Sequence, residues 1–255
     1  MTLPAADTLA ALRGRLAALE AARLAFAPAQ ATDLGPLACC GAGALSGALH
    51  EVAAKSECEM PAAAGFVLPL AAAAARGRVT LWIAEDMALA ENGALYGPAL
   101  EDFGLAPERL LRVAVAHERD VLWAMEEGLR CRGVGAVIGE IRNRDIGLTA
   151  SRRLSLAAGQ AGTAAFLLRA LPADEPVAAA TRWIVRAAPS APAHSHAFGP
   201  GPPRWHVSLT RNRRGSQGSW ILEWNSVEQR IELATDRQPL AEAAVDRPHR
   251  AAAVA

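Results

Sequence analysis

The residues that most resemble part of a chemical site are Lys55 and Ser56, which follow a short apolar stretch as the end of a nucleotide-binding loop would. Such a loop needs glycines so that backbone N–H groups converge on the phosphates, a lysine for the outer phosphates and a hydroxyl for Mg²⁺. Leu49 stands where the first glycine should be, and segment 54–61 (AlaLysSerGluCysGluMetPro) contains no glycine and two carboxylates. We therefore expect no nucleotide binding at this loop, no catalytic residues and no cofactor.

Two carboxylates at the ends of predicted strands are the next candidates, because ATPases often hold Mg²⁺ with such an acid. Glu140 closes the apolar run 134–140, and Glu85 closes a similar run. With no phosphate loop opposite them, we interpret both as strand ends capped by solvent. His194 and His196 have no carboxylate or thiol beside them, and the four cysteines lack zinc-binding spacing. We therefore expect no metal site.

A cluster of arginines is the third candidate. Arg142 and Arg144 follow a predicted strand, and Arg152 and Arg153 lie at the start of the next predicted helix. We favour a solvated helix face as the interpretation. The alternative is a surface for DNA or an acidic partner, with Leu156 as an apolar anchor. Because the formal net charge of the chain is zero, we expect any DNA contact to be weak or indirect.

The elements that would position these residues alternate between strands and helices. Short apolar runs predict buried strands, and apolar residues repeating every three or four positions predict helices. The predicted strands are 47–53, 78–84, 110–116, 134–140 and 163–170, and the predicted helices are 62–75, 99–103, 119–131 and 149–162, with 85–98 as a loop. We therefore expect an α/β fold with a mainly parallel sheet flanked by helices on both faces.

The pattern changes from residue 181 onward, where apolar and polar residues alternate with a period of two. This period predicts antiparallel strands that extend the sheet. The predicted strands are 181–187, 204–211 and 219–224, with a turn at 213–218. Four tryptophans fall on these strands, and we interpret them as buried strand aromatics: Trp183, Trp205, Trp220 and Trp224.

The domain organisation follows from these patterns. We predict a core over residues 47–233, with its antiparallel extension at 181–225. The low-complexity loop 189–203 and the tail 234–255 have no repeated apolar face. We therefore expect the loop to be mobile and the tail to be disordered.

Residues 7–26 are predicted to form a separate helix, because apolar residues recur there every three or four positions. These residues are Leu9, Leu12, Leu16, Leu19 and Phe26. So narrow a stripe is typical of a helix that docks on another protein, and the linker 27–46 would let it reach outward. The alternative is that the helix folds back and covers an edge of its own sheet. We predict residues 1–46 to be a docking helix and its linker.

The composition also bears on localisation. Four cysteines without a disulfide pattern fit a reduced compartment. The most apolar stretch, 61–75, is interrupted by Pro69 and is shorter than the ~20 residues needed to cross a bilayer. The N-terminus lacks the pattern of a secretory signal. We expect a cytoplasmic protein with no membrane partner.

The amino-acid sequences of several segments resemble those of the inducible mutagenesis protein A (ImuA) family. The matching segments are GlyAlaLeuHisGluVal (47–52), ValLeuTrpAlaMetGluGluGlyLeuArgCys (121–131), AlaValIleGlyGlu (136–140), LeuThrAlaSerArgArgLeuSerLeuAlaAla (148–158), ThrArgTrp (181–183), SerTrpIleLeuGlu (219–223) and AspArgPro (246–248). They are collinear from about residue 45 to 248 and cover most of the chain. The segments at 121–131 and 148–158 are the most specific.

The resemblance implies a RecA-like fold that has lost the ATPase signature. It implies a non-enzymatic accessory protein of damage-induced (SOS) mutagenesis and translesion DNA synthesis. The implied partners are RecA and an inactive Y-family-like polymerase of the ImuB type, with an error-prone replicative-type polymerase as an indirect partner. Glu85 would match the RecA catalytic glutamate, and the loops after residues 140 and 170 would match the DNA-binding loops of RecA, although both are shorter here.

Two other functions remain open at this point. One is a cell-division inhibitor similar to SulA, another RecA-like protein without a phosphate loop. The other is a divergent DNA-dependent ATPase, which would need phosphate contacts that the sequence does not reveal.

Overall fold

The computed structural model describes residues 14, 33–37, 45–93, 95–142, 146–190 and 201–234. Their helices and strands, in chain order, are β1 (Leu49–Ala54), α1 (Met60–Ala75), β2 (Val79–Glu85), α2 (Asp86–Asn92), α3 (Gly97–Asp102), β3 (Leu110–Val115), α4 (Glu118–Leu129), β4 (Val134–Ile141), α5 (Gly147–Ala161), β5 (Ala164–Arg169), β6 (Thr181–Ala187), β7 (Arg204–Asn212), β8 (Gly218–Asn225) and β9 (Arg230–Leu233). Short 3-10 helices cover Gly35–Leu37, Glu57–Glu59 and Pro107–Arg109.

The strands form one nine-stranded sheet in the order β3-β2-β4-β5-β1-β6-β7-β8-β9. Each pairing from β3 to β6 is parallel, and each pairing from β6 to β9 is antiparallel. The predicted fold class, a mainly parallel sheet flanked by helices and extended by antiparallel strands, is confirmed. The prediction for 181–187 is only partly right, because β6 is antiparallel to β7 but parallel to β1.

Two apolar cores lie on opposite faces of the sheet, because successive side chains of a strand point to opposite sides. On β2, Trp82 and Ala84 pack in the core that contains α1, whereas Leu81 and Ile83 pack in the core that contains α4 and α5. The stretch Glu57–Ala75 is long and apolar enough to cross a membrane by length and composition. Most of it is nevertheless buried inside the fold, as in the core helix of a soluble protein.

The predicted loop at 85–98 is wrong over its first half, where Asp86–Asn92 form α2. Asp86 lies in the first turn, where its negative charge is favourable at the positive end of the helix. Gly93, with φ of 76°, ends the helix in a conformation that suits glycine. A helix of this length shows too few apolar repeats to be recognised from periodicity.

Several predicted features lie outside the described residues. These are the helix stripe (Leu9, Leu12, Leu16, Leu19 and Phe26), Arg144, His194 and His196, most of the loop 189–203, and the tail beyond residue 234. The predictions made for them therefore stay predictions.

Candidate functional site

The loop after β1 occupies the place of a nucleotide-binding loop, and its polar groups bind within the protein. The backbone N–H of Lys55 donates to the carbonyl of Val185 at 2.8 Å. The hydroxyl of Ser56 donates to a carboxylate oxygen of Glu59 at 3.0 Å. Pro61 removes one N–H group from the first turn of α1. The Lys55 N–H and the Ser56 hydroxyl thus bind within the protein, and the carboxylate of Glu59 would repel an anion.

Glu140 is a buried acceptor and not a solvent-capped strand end, so that interpretation is wrong. Its side chain accepts a hydrogen bond from Trp82 Nε1 at 3.1 Å and another from Asn92 Nδ2 at 2.8 Å. Because Asn92 is the last residue of α2, the carboxylate holds this helix against the sheet. Glu85 is half-buried and directly precedes α2. No group of three His, Cys, Asp or Glu side chains in the described part of the chain could hold a metal ion.

The structure does not bring the described arginines of the predicted cluster together. Arg142 forms an ion pair with Glu91 of α2, on the α1 side of the sheet. Arg153 forms an ion pair with Glu126 of α4 at 2.6 Å, on the opposite side. Arg152 is exposed on α5. These residues therefore do not form one continuous basic surface.

Leu156, the proposed apolar anchor, is an exposed residue of α5. Its side chain is 65% exposed, and Trp123 on the neighbouring helix α4 is 39% exposed. These are the two large apolar side chains that the described parts of α4 and α5 leave exposed. The surface around Arg152 and Arg153 thus offers a small apolar contact beside positive charge.

The prediction for the strand tryptophans is confirmed for three of the four. Trp183, Trp205 and Trp224 are buried, and Trp220 is half-buried. The three buried tryptophans pack around Phe66 of α1 and Phe103, and Trp220 packs on Trp183, with ring centroids separated by 5.7 to 6.5 Å. These aromatic side chains pack α1 and the end of α3 against the antiparallel half of the sheet.

A buried charge cluster on the α5 side of the sheet was not among the predicted sites. Arg169 is fully buried and lies 3.0 Å from Glu51 and 2.9 Å from Glu175. Arg182 reaches the second oxygen of Glu51 at 2.6 Å and donates to the carbonyl of Glu175 at 2.8 Å. The signal in the sequence is a charged residue inside an otherwise apolar strand, since burial of an unpaired charge is very costly.

The segment 171–180, which would match the second DNA-binding loop of RecA, is held against its own fold. Arg211 Nη1 donates to the carbonyl of Val177 at 2.9 Å. The backbone N–H of Ala178 donates to the hydroxyl of Ser151 on α5 at 3.1 Å. A segment fixed by side chains of two different elements is poorly suited to close around a DNA strand.

His50 of β1 is part of a buried hydrogen-bond chain. Its Nε2 lies 2.9 Å from the carbonyl of Leu45, which can only accept, so this nitrogen carries the proton. Its Nδ1 then accepts from the hydroxyl of Thr181 at 2.7 Å, and Trp183 Nε1 donates to that hydroxyl at 2.8 Å. Burial lowers the pKa of His50 from 6.5 to about 4; the Leu45 bond opposes this shift, and the charge of Arg214 adds to it.

Comparison with known proteins gives the family. No protein-family model matches the chain. Two relatives named Protein ImuA, from Caulobacter vibrioides strains NA1000/CB15N and ATCC 19089/CIP 103742/CB 15, are each 34% identical over 197 residues, which are 72% of this chain and 77% of each relative. The crystal structure of the RadB recombinase matches with a TM-score of 0.48 and 13% sequence identity, covering 75% of this chain and 92% of RadB. The similarity to the two Caulobacter proteins establishes that the chain belongs to the ImuA family.

Proposed function

We propose that this chain is a non-enzymatic adaptor of damage-induced (SOS) mutagenesis and translesion DNA synthesis, acting in the cytoplasm. Similarity to Protein ImuA supports the role in mutagenesis. The observation that carries the adaptor role is the loop after β1, where Lys55 N–H and the Ser56 hydroxyl bind inside the protein. A protein of this kind acts through the surfaces that it offers to partners.

The proposed direct partners are RecA and an inactive Y-family-like polymerase of the ImuB type. The error-prone replicative-type polymerase would join through them. The proposed docking element is the N-terminal stripe of Leu9, Leu12, Leu16, Leu19 and Phe26, because an amphipathic helix with a narrow apolar face suits a groove on another protein. DNA contact is proposed to be weak or indirect, which fits the separation of Arg142 from Arg153 and the fixed segment 171–180.

Affinity capture of the full-length protein from DNA-damaged cells tests this function. We expect RecA and the ImuB-type polymerase among the captured proteins. Leu12→Glu with Leu16→Glu should abolish capture of at least one of them, because two carboxylates would be buried in the contact. A matched control is Ala10→Glu with Ala21→Glu, which at helical spacing lie away from the stripe and should leave capture unchanged.

The same experiment separates the other functions. Capture of a tubulin-like division protein in place of the two DNA-metabolism proteins would favour a SulA-like inhibitor. Hydrolysis of ATP that the purified protein accelerates in the presence of DNA would favour a divergent ATPase. Equal capture by both double variants would show that the N-terminal stripe is not the docking element.

A further inference from the structure

An apolar groove opens beside α1, on the face of the sheet opposite to α4 and α5. Its volume is about 560 Å³, and its walls are the first half of α1, the segment from α2 to α3, and the start of β7. We call it the α1 groove. The large apolar side chains that line it include Leu68, Leu89, Leu95, Phe103 and Trp205.

Among the described residues, the charged side chains that line the α1 groove are Arg112, Glu140 and Arg204. Arg112 is exposed on β3, and the other two are already paired. Glu140 already accepts hydrogen bonds from Trp82 and Asn92. Arg204 is paired with Glu223 of β8. An occupant that buries apolar surface here would therefore leave neither of these charges newly unpaired, and burial is worth roughly 25 cal/mol per Å² of apolar area.

The described segment 33–37 lies next to this groove. The N–H of Asp33 donates to the carbonyl of Gln229 at 3.1 Å, and the carbonyl of Asp33 accepts from Ile231 at 2.9 Å. The side chain of Gln229 donates to the carbonyl of Glu101 at 3.5 Å. Glu101 lies in α3, two residues before the groove-lining Phe103. Asp33 is therefore fixed beside the α3 wall of the α1 groove.

The residues that precede Asp33 carry the apolar stripe. Only residues 27–32 separate Phe26 from Asp33, and six residues span at most roughly 20 Å. A tether this short gives an effective concentration of about millimolar, well above that of a second copy in dilute solution. Gly14 is helical and exposed, and at helical spacing it lies on the side opposite to the leucine stripe.

We propose that residues 7–26 of the free protein dock in the α1 groove as an amphipathic helix, with the leucine stripe packed on α1 and Phe103. The inference concerns the chain alone and does not depend on the proposed partners. It assigns the groove to a segment of the same chain, so that a partner recognising the stripe must first displace it.

Hydrogen exchange on the full-length protein without partners tests the proposal. Leu12→Glu with Leu16→Glu should raise amide exchange at least about tenfold in residues 61–68 and 95–103, because the cover of the groove is lost. Ala10→Glu with Ala21→Glu should leave exchange there unchanged. The reciprocal variant is Ala64→Trp, which places a bulky side chain in the groove and should raise exchange in residues 7–26.

Three results would overturn the proposal. The first is unchanged exchange at 61–68 and 95–103 in the Leu12/Leu16 variant. The second is an increase spread over the whole sheet, which would make the segment part of the core. The third is protection that grows with protein concentration together with a dimer in light scattering, which would assign the groove to a second copy. Because the Leu12/Leu16 variant alters no groove residue, misfolding of Ala64→Trp would not decide the matter.

Discussion

Among single residues, His50 gives the most direct link between geometry and a measurable property. Its ring is 1% exposed and stacks on Phe166 with ring centroids 5.4 Å apart. Protonation of Nδ1 would remove the acceptor that the Thr181 hydroxyl uses and would place a charge in the core. The neutral form is therefore strongly preferred in the folded protein, which is why its pKa falls to about 4.

The preference for neutral His50 predicts that the folded protein loses stability in acid. In the unfolded chain His50 takes up a proton near pH 6.5, whereas in the folded protein it does so only near pH 4. The unfolded state thus binds more protons between these values, so the contribution of His50 to stability is complete above pH 6.5 and falls as the pH is lowered toward 4. We expect it to lose about 2 kcal/mol between pH 7 and pH 5.

Urea unfolding of the wild type and of His50→Gln, measured at pH 7, 6 and 5, isolates the contribution of His50 to the free energy of unfolding. The stability difference between the two proteins should shrink as the pH falls. His117→Gln removes an exposed imidazole and should retain the wild-type pH dependence. A His50→Gln variant that loses stability in acid as steeply as the wild type would contradict the assignment.

Some contacts between individual residues could not be predicted from the sequence. Glu51 and Arg169 lie inside apolar strands, but they were not among the predicted sites, and their mutual pairing is not visible in the sequence. Glu51 pairs with Arg182 across 131 positions of sequence, and Arg169 with Glu51 across 118. Such contacts depend on which strands become neighbours, and periodicity within a segment does not determine that. The same reason explains why Glu140 was misinterpreted as capped by solvent.

At the scale of elements, long apolar patterns were informative and short ones were not. The predicted core strands and the helices α1, α4 and α5 agree closely with the observed bounds, because each contributes several residues to one of the two cores. The strand β9 was not predicted. Its sequence ArgIleGluLeu contains only two apolar residues, and it is defined by pairing with β8 and by the bridge from Asp33.

The arrangement of elements also decides what the arginines can do. Arg142 and Arg153 lie on opposite sides of the sheet, so one DNA strand cannot contact both by a short path. We expect single-stranded DNA binding to depend only weakly on salt, because each phosphate contact would add ~0.7 to the slope of log affinity against log salt. Arg142→Ala with Arg144→Ala should therefore leave this slope nearly unchanged, as measured by fluorescence anisotropy over a salt series.

The matched variant for the salt series is Arg152→Ala with Arg153→Ala on α5. If both pairs leave the slope unchanged, direct DNA binding through this cluster is negligible. A steep wild-type slope that flattens in either variant would identify the pair that contacts phosphates.

At the scale of the whole molecule, the sheet and its helices determine whether a nucleotide can bind. The carboxyl end of β1 and the start of α1 are where a phosphate site would have to form. Here Lys55 is exposed, its N–H is bound to β6, and Glu57 and Glu59 precede the helix. The carboxylate of Glu140, near the end of β4, holds α2 in place through Asn92.

We therefore expect no tight ATP binding and no ATP hydrolysis by the purified protein. Isothermal calorimetry should detect no micromolar affinity for ATP with Mg²⁺, since an anion at this loop would meet two carboxylates and the N–H of Lys55 is already bound to β6. Lys55→Ala should be nearly silent in melting temperature, as should the control Glu57→Ala from the same exposed loop, because surface substitutions of this kind change stability by about 0.5 kcal/mol or less. Micromolar affinity that Lys55→Ala abolishes and Glu57→Ala preserves would instead assign a phosphate contact to Lys55. In that case the chain would retain a nucleotide site, and an adaptor role would have to be regulated by nucleotide.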